Sequence, residues 1–358
     1  MEPFEFVGLP SRVIFGPGKI AVLAEEIEAL GAKRALFCCS PGRVGVVKQV
    51  AETVGSRYAG ICDQALPFTP FEAAEEGRQA ARDAKADCLV SYGGGNAGGF
   101  AKAIALELEF PILAIPTPLS GSETTALQGI IKDGQRVQNA SPRMQARTLI
   151  YDPELTRDLP LSVMIPSGGN SMAHAVGALV ADNGNPMSHL FAQEGLGVMA
   201  RALQLIAKDP DDMDARSQAF YGAWLNANTL KLAPGGVNVH HKLCHTIGGG
   251  LGLPHANVHT IILPHSTAYN RDAVPEAMTA ISSALGDQTG DAPGALFDLI
   301  ESTGAPTALR DVGMPEDSIE TVADQVATDS YYSNPRPIER AGILALIEDA
   351  WHGRRPGA

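Results

Sequence analysis

No apolar run in this chain of 358 residues is long enough to span a bilayer. The opening hexapeptide Met1-Glu2-Pro3-Phe4-Glu5-Phe6 lacks the charged-then-apolar form of a secretory signal. There is no excess of positive charge: 27 Lys and Arg stand against 40 Asp and Glu, a formal net charge of −13. That balance speaks against nucleic acid as a partner, which would need a basic stripe, yet it leaves room for a pocket that is locally positive. Cysteines do not pair up either. Cys38, Cys39, Cys62, Cys88 and Cys244 are an odd number without a CxxC spacing, and Cys38 and Cys39 lie in an apolar run that reads as a buried strand, so packing thiols are expected. A cytoplasmic setting, with no membrane partner, follows as the expectation.

What remains is an ordinary globular composition, 45% hydrophobic and 19% charged, in a chain long enough for two domains with cores of their own. Up to about residue 160 short apolar strands alternate with helical segments, the pattern of an α/β layer over a parallel sheet. Arg34–Ser40 reads as a buried strand, Glu72–Lys85 as an alanine-rich helix, and Cys88–Tyr92 as the next strand. A helix from about Gly99 to Leu108 and a strand Ile112–Pro116 follow. Beyond about Leu161 the alanine- and leucine-rich segments Ser188–Ile206 and Ser217–Leu230 carry helical periodicity with few strand signals. The expected organisation is an α/β domain over 1–160 and an all-α domain over 161–358, with a frayed tail at 353–358.

Histidine is where the sequence concentrates its chemistry. His240, His241, His245, His255, His259 and His265, six of the nine histidines, fall within 26 residues. His241 and His245 are spaced i, i+4 and project from one face of a helix. Such a group suits proton handling or metal binding, since the unperturbed imidazole titrates near neutrality. His259 and His265 lie on an apolar run and read as structural, whereas Lys242 fits either the site or an outer helix face.

Two loops read as ligand-binding turns. Gly93-Gly94-Gly95-Asn96 follows a strand and precedes a helix, which lets a backbone approach a pyrophosphate at a helix N-terminus, although its register is not GxGxxG. Pro116–Thr124 follows the neighbouring strand and offers Thr117, Ser120 and Ser122. At the end of the Arg34–Ser40 strand, where a site for NAD usually places a carboxylate, stand Ser40 and, shortly after it, Arg43. That composition tolerates a 2′-phosphate, so NADH and NADPH are both admitted.

These features together resemble the iron-containing alcohol dehydrogenase superfamily, and within it the maleylacetate reductase branch. The resemblance is carried by Leu9-Pro10-Ser11-Arg12-Val13-Ile14-Phe15-Gly16, by Gly93–Gly95 with Ala101–Ala105, and by Ile150–Leu155. It is also carried by the segment from His240-His241-Lys242-Leu243-Cys244-His245 to Leu253-Pro254-His255, and by Asn334-Pro335-Arg336-Pro337. It implies an α/β dinucleotide-binding domain with a parallel sheet followed by an all-α domain, the dehydroquinate synthase-like architecture. It further implies a homodimer and reduction of the carbon–carbon double bond of 2-maleylacetate, or a related unsaturated oxo-dicarboxylate, to 3-oxoadipate.

Metal-dependent relatives hold their ion with one Asp and three His, and the corresponding positions here are Asn170, His174, His241 and His255. The neutral amide of Asn170 withdraws the anionic ligand that favours a hard divalent ion, so no metal is expected. His241 and His245 are then read as proton donor and enolate stabiliser, and Lys242, His174 and His255 as holders of carboxylates. Arg336 and Arg136 are further candidates. Three departures from the family pattern stand out: Asn96-Ala97-Gly98 replaces its serine and threonines, Gly177 stands where a glutamate is usual after His174, and 167–171 is rich in glycine. A metal-dependent alcohol dehydrogenase and a non-catalytic homologue that keeps the fold remain as alternatives.

Overall fold

The computed structural model describes residues 11–133, 135–233, 236–328 and 333–357. Leu9 and Pro10 of the opening motif, the hexapeptide Met1–Phe6 and the side chain of Arg136 lie outside them. Two compact units divide between Asp158 and Leu159.

The first unit contains β1 (Arg12–Phe15), α1 (Leu23–Ala29), β2 (Ala35–Cys38), α2 (Val44–Glu52), β3 (Tyr58–Cys62), α3 (Phe71–Asp83) and β4 (Cys88–Tyr92). These are followed by α4 (Gly95–Leu108), β5 (Ile112–Ile115), β6 (Leu127–Lys132), β7 (Gln135–Ala140) and β8 (Ala146–Tyr151). Six strands form one sheet in the order β1-β8-β5-β4-β2-β3, and every pairing in it is parallel. β2, β4 and β5 are buried along their whole length, as continuous apolar runs inside a parallel sheet must be. The chain runs outward from β2 to β3 and returns to β4 on the other side of β2. The carboxyl ends of β2 and β4 therefore flank a switch point, the place where open α/β sheets bind ligands.

Two details differ from the sequence reading. α4 begins at Gly95 rather than near Gly99, so three glycines lie in its first turns. Glycine costs about 1 kcal/mol per residue in a helix, but Ala97, Phe100, Ala101 and Ile104 are buried on this one and packing overrides propensity. β6 and β7 pair as an antiparallel hairpin that the periodicity did not announce. Where the sheet meets the first turn of the chain, buried Asp152 accepts hydrogen bonds from the backbone N–H groups of Gly18, Ile20 and Glu154 at 3.1, 2.8 and 3.0 Å.

The second unit is helical: α5 (Leu161–Val180), α6 (Pro186–Lys208), α7 (Met213–Leu232), α8 (Val239–Cys244), α9 (His255–Asn270), α10 (Pro275–Leu285), α11 (Ala292–Ser302), α12 (Ile319–Thr328) and α13 (Arg340–His352). One apolar core joins α8 and α9 to α12 and α13 through Val239, Leu243, Ile262, Val322, Val326, Ile343 and Ile347. The tail does not fray as expected. Arg355 grips Asp298 with two hydrogen bonds of 2.7 and 2.8 Å, and Arg354 bonds Asp349 at 2.9 Å. Among the described residues no helix is long and apolar enough to cross a membrane.

The glycines of α5 record how closely its neighbours approach. A Cβ on Gly169 would lie 2.2 Å from the Thr260 hydroxyl of α9, and one on Gly168 would lie 2.6 Å from Leu203 of α6. At Gly177 the obstacle is backbone: a Cβ there would stand 2.4 Å from the Gly236 carbonyl oxygen. The glutamate missing after His174 is therefore excluded by sterics, since no side chain fits at that point. Gly177→Ala should destabilise the protein by about 1–3 kcal/mol, the usual cost of overpacking, outweighing the gain of at most about 1 kcal/mol in helix propensity. Thermal unfolding checks this, and an unchanged or raised Tm would contradict the close approach.

Candidate active site

In the α/β unit, Gly93 leaves β4 with φ +136, a backbone state side chains rarely adopt, and its N–H bonds Ile115 O at 3.0 Å. Gly94 follows in an extended conformation, and no side chain caps the N-terminus of α4. The leading N–H groups of this 14-residue helix are thus left for an anion. A Cβ on Gly94 would lie 2.5 Å from Pro118, so the loops after β4 and β5 touch. Thr117 is buried. Ser120 donates to Glu123 at 3.3 Å, and Glu123 also accepts from Tyr151 at 2.9 Å. Burial pushes the Glu123 carboxyl up and the Tyr151 hydroxyl well up.

Lys102, buried in α4, donates to Ser122 O, Thr125 Oγ1 and Leu127 O at 2.6, 3.0 and 3.0 Å. It thereby fixes the Ser120–Thr125 turn against the helix. The Ser40 hydroxyl donates to Ala65 O at 3.0 Å, so its proton is spent inside the fold. Arg43 ends the short turn that follows, and Asn96 lies exposed in the first turn of α4.

In the helical unit the histidines converge. α5 presents Asn170 and His174, α8 presents His240, His241 and Lys242, and α9 presents His255 and His259. After Cys244 the helix loosens into a π-turn over His245–Gly249, a feature frequent at functional sites. The rings of His174 and His241 stack 5.7 Å apart, nearly parallel. His241 meets His245 at 6.2 Å and His259 at 5.4 Å, while His255 stacks on His245 at 6.2 Å and meets His259 edge-on at 4.4 Å. His255 is exposed and His245 half-buried; the others, with Lys242, are buried. Lys242 is therefore not on an outer helix face.

Desolvation favours the neutral form of the buried imidazoles. It pushes His174 down to about 4, with His255 adding to the effect, and His240 down to about 3. His241 and His259 are held well below the ordinary value by burial first and by neighbouring imidazoles second. Asn170 Oδ1, His174 Nδ1, both ring nitrogens of His241 and Nε2 of His259 are buried without a hydrogen-bond partner. Buried polar atoms are seldom left unsatisfied in native proteins, which makes this group the candidate site.

The sequence reading missed the part played by His240 and His259. His240 Nε2 lies 2.9 Å from His259 Nδ1 and 3.6 Å from Cys244 Sγ, and the 18 residues between the two histidines carry no signal of the contact. His265 is buried further along α9 against Phe297, and desolvation pushes it down to about 4. Arg336 is engaged elsewhere: its guanidinium lies 4.2 Å from the Tyr269 ring centre and donates to Tyr269 O at 3.1 Å. Among the described residues, the three-residue group of His, Cys, Asp or Glu whose ligand atoms all come within 4.8 Å of one another is His240, Cys244 and His259. It is not the His174, His241 and His255 of the family's ion site.

Comparison with known proteins agrees with this architecture. Residues 10–153 match the iron-containing alcohol dehydrogenase family, and residues 164–351 match the C-terminal part of the Fe-containing alcohol dehydrogenase family. A maleylacetate reductase of Pseudomonas knackmussii is 45% identical over 349 residues, covering 97% of each chain. One from Burkholderia cepacia is 44% identical, covering 99% of this chain and all of its own. The crystal structure of maleylacetate reductase from Agrobacterium tumefaciens is 39% identical and superposes with a TM-score of 0.93, covering 99% of this chain and all of that one. With both parts of its length matched in fold and in sequence, the chain belongs to the iron-containing alcohol dehydrogenase family.

Proposed function

We propose that this protein reduces the carbon–carbon double bond of 2-maleylacetate, or a closely related unsaturated oxo-dicarboxylate, to 3-oxoadipate, using NADH or NADPH and no metal ion. The observation that carries the reading is the group of buried, unpaired imidazole and amide atoms around Asn170, in a chain that matches curated maleylacetate reductases over nearly its whole length. A homodimer in the cytoplasm belongs to the same reading.

The α/β unit suits a nicotinamide dinucleotide. Gly93, Gly94, Gly95 and Asn96 would place the uncapped start of α4 on the pyrophosphate, with Thr117, Ser120 and Ser122 on the touching loop and Ser40 and Arg43 toward the ribose. When bound, that cofactor supplies the hydride. The helical unit supplies the rest. His174, His255, Lys242 and the Asn170 amide would hold the two carboxylates. His241 and His245 would donate to the enolate oxygen and return a proton to carbon. Negative charge on the arriving substrate favours protonated imidazole, so the dianion itself recruits the acid that burial otherwise keeps neutral.

A divalent ion fits poorly by charge, because Asn170 brings a neutral amide oxygen where a carboxylate would supply the anionic ligand. The competing reading, a metal-dependent alcohol dehydrogenase, is favoured by the family match alone.

Oxidation of NADH and NADPH with maleylacetate, on protein of measured metal content and with and without a chelator, tests the proposal. Turnover that a chelator leaves unchanged is expected. Activity lost to the chelator and restored by Zn²⁺ or Fe²⁺ would favour the alcohol dehydrogenase reading. His241→Gln should lower kcat by about 10²–10⁴, the range for a general acid, while cofactor affinity measured by NADH fluorescence stays unchanged.

The neutral imidazoles also set an acid limit. Folded-state values for His174, His240 and His265 lie well below the ordinary 6.5, so their contribution to stability is complete above pH 6.5 and declines as the pH falls towards 4. Each such group removes about 1.4 kcal/mol per pH unit within that window. Tm should therefore fall steeply between pH 6.5 and 5, above the range where most carboxylates titrate, and a flat profile there would mean that the rings are already charged.

A further inference from the structure

Ser266 sits on α9 almost two turns after His259, and its hydroxyl donates to Leu263 O at 3.1 Å. A serine has one proton to give, so toward His240 Nδ1, 2.9 Å away, Ser266 Oγ acts as acceptor and Nδ1 carries the hydrogen. Neutral His240 then has a bare Nε2. The two groups near that nitrogen are His259 Nδ1 at 2.9 Å and the Cys244 thiol at 3.6 Å, and both must donate. Burial keeps the Cys244 thiol protonated, as this requires. His259 is in turn fixed as its Nδ1–H form, which leaves its Nε2 as an unprotonated lone pair, buried and unpaired. Reversing every bond in the chain would end in a buried, unpartnered N–H on His259, and orphaned N–H donors are rarer in proteins than under-used acceptors.

We propose that Ser266 and His240 are positioning residues for this site. They lock the tautomer and ring plane of His259, which holds His241 and His255 edge-on and offers Nε2 as a hydrogen-bond acceptor to an O–H donor, either water or a hydroxyl of the bound molecule. The functional half of this inference rests on the reductase reading above; the tautomer half does not. The same bonds occupy the His240 Nε2 lone pair with the His259 N–H, which competes with any ion for the His240, Cys244 and His259 group.

The test is ¹⁵N NMR of histidine-labelled, full-length protein at neutral pH, with steady-state kinetics of Ser266→Ala and Ser266→Thr. Both His240 and His259, assigned by single substitution, should appear as Nδ1–H tautomers with unprotonated Nε2. Ser266→Ala should redistribute both tautomers and lower kcat about tenfold, the low end of the effect of partners that orient a functional imidazole, with KM changed much less. Ser266→Thr, which keeps the hydroxyl, should restore both readouts. His259 protonated at Nε2 in the unaltered protein, or tautomers indifferent to Ser266→Ala, would overturn the brace, as would stoichiometric Zn²⁺ binding that shifts both rings. Redistributed tautomers with unchanged kcat would overturn its role in the reaction. Correct tautomers in a protein that does not reduce maleylacetate would leave the brace standing and overturn the proposed function alone. A His259 Nε2 signal that shifts on adding 3-hydroxyadipate, which carries a hydroxyl, but not on adding 3-oxoadipate, which carries none, assigns the donor to the bound molecule; a signal that shifts with neither assigns it to water.

Discussion

The helical unit depends on how closely α5 can be approached. Asn170 and His174 reach the histidine cluster because Gly168, Gly169 and Gly177 let a leucine, a threonine and a stretch of backbone come within distances that any Cβ would forbid. Hydrogen bonds then fix the register. Asn226 of α7 donates to Ser171 at 3.2 Å, and the Thr229 hydroxyl, also on α7, lies 3.1 Å from the His174 carbonyl oxygen. Helix, cap and side chain are thus held before any ligand arrives, as a preorganised site requires.

Into that frame the chain places mostly buried imidazoles, with His245 half-buried and His255 exposed at the edge. Desolvation alone would make them costly and inert, and a carboxylate such as the family's usual ligand would relieve the cost by charge pairing. Here the relief is partial and neutral: His240 bonds His259 through one ring nitrogen and Ser266 through the other, while Asn170, His174, His241 and His259 retain unpaired atoms. In the proposed reading an anionic substrate raises the proton affinity of the rings it touches.

The α/β unit solves a different problem with the same economy of side chains. Lys102 spends its three N–H bonds on one turn, buried Glu123 is held by Ser120 and Tyr151, and Asp152 gathers three backbone N–H groups. The polar loop at the carboxyl end of β5 is therefore fixed by Lys102 and Tyr151, and the turn after β1 by Asp152. With Asn96-Ala97-Gly98 in place of a serine and threonines, the first turn of α4 itself offers backbone N–H groups but no hydroxyl.

Much of this was legible in the sequence. Apolar runs such as Cys88–Tyr92, and alanine-rich segments such as those that become α3 and α6, declare strand and helix through local periodicity. The spacing of His241 and His245 declares a shared helix face, and Asn170 in place of aspartate declares a change of chemistry at one atom. What the sequence could not declare depends on distance through space. Gly177 looked like a lost glutamate until the Gly236 carbonyl stood where its side chain would go, and His259 looked structural until His240 and Ser266 fixed its free nitrogen inside the cluster. The start of α4 within a run of glycines, and the tail pinned by Asp298, were likewise decided by packing and charge pairing against residues distant in the chain. Local propensity and composition determined the elements and the kind of chemistry; burial and hydrogen-bond partners, which exist only once the chain is folded, decided which atoms are left free to act.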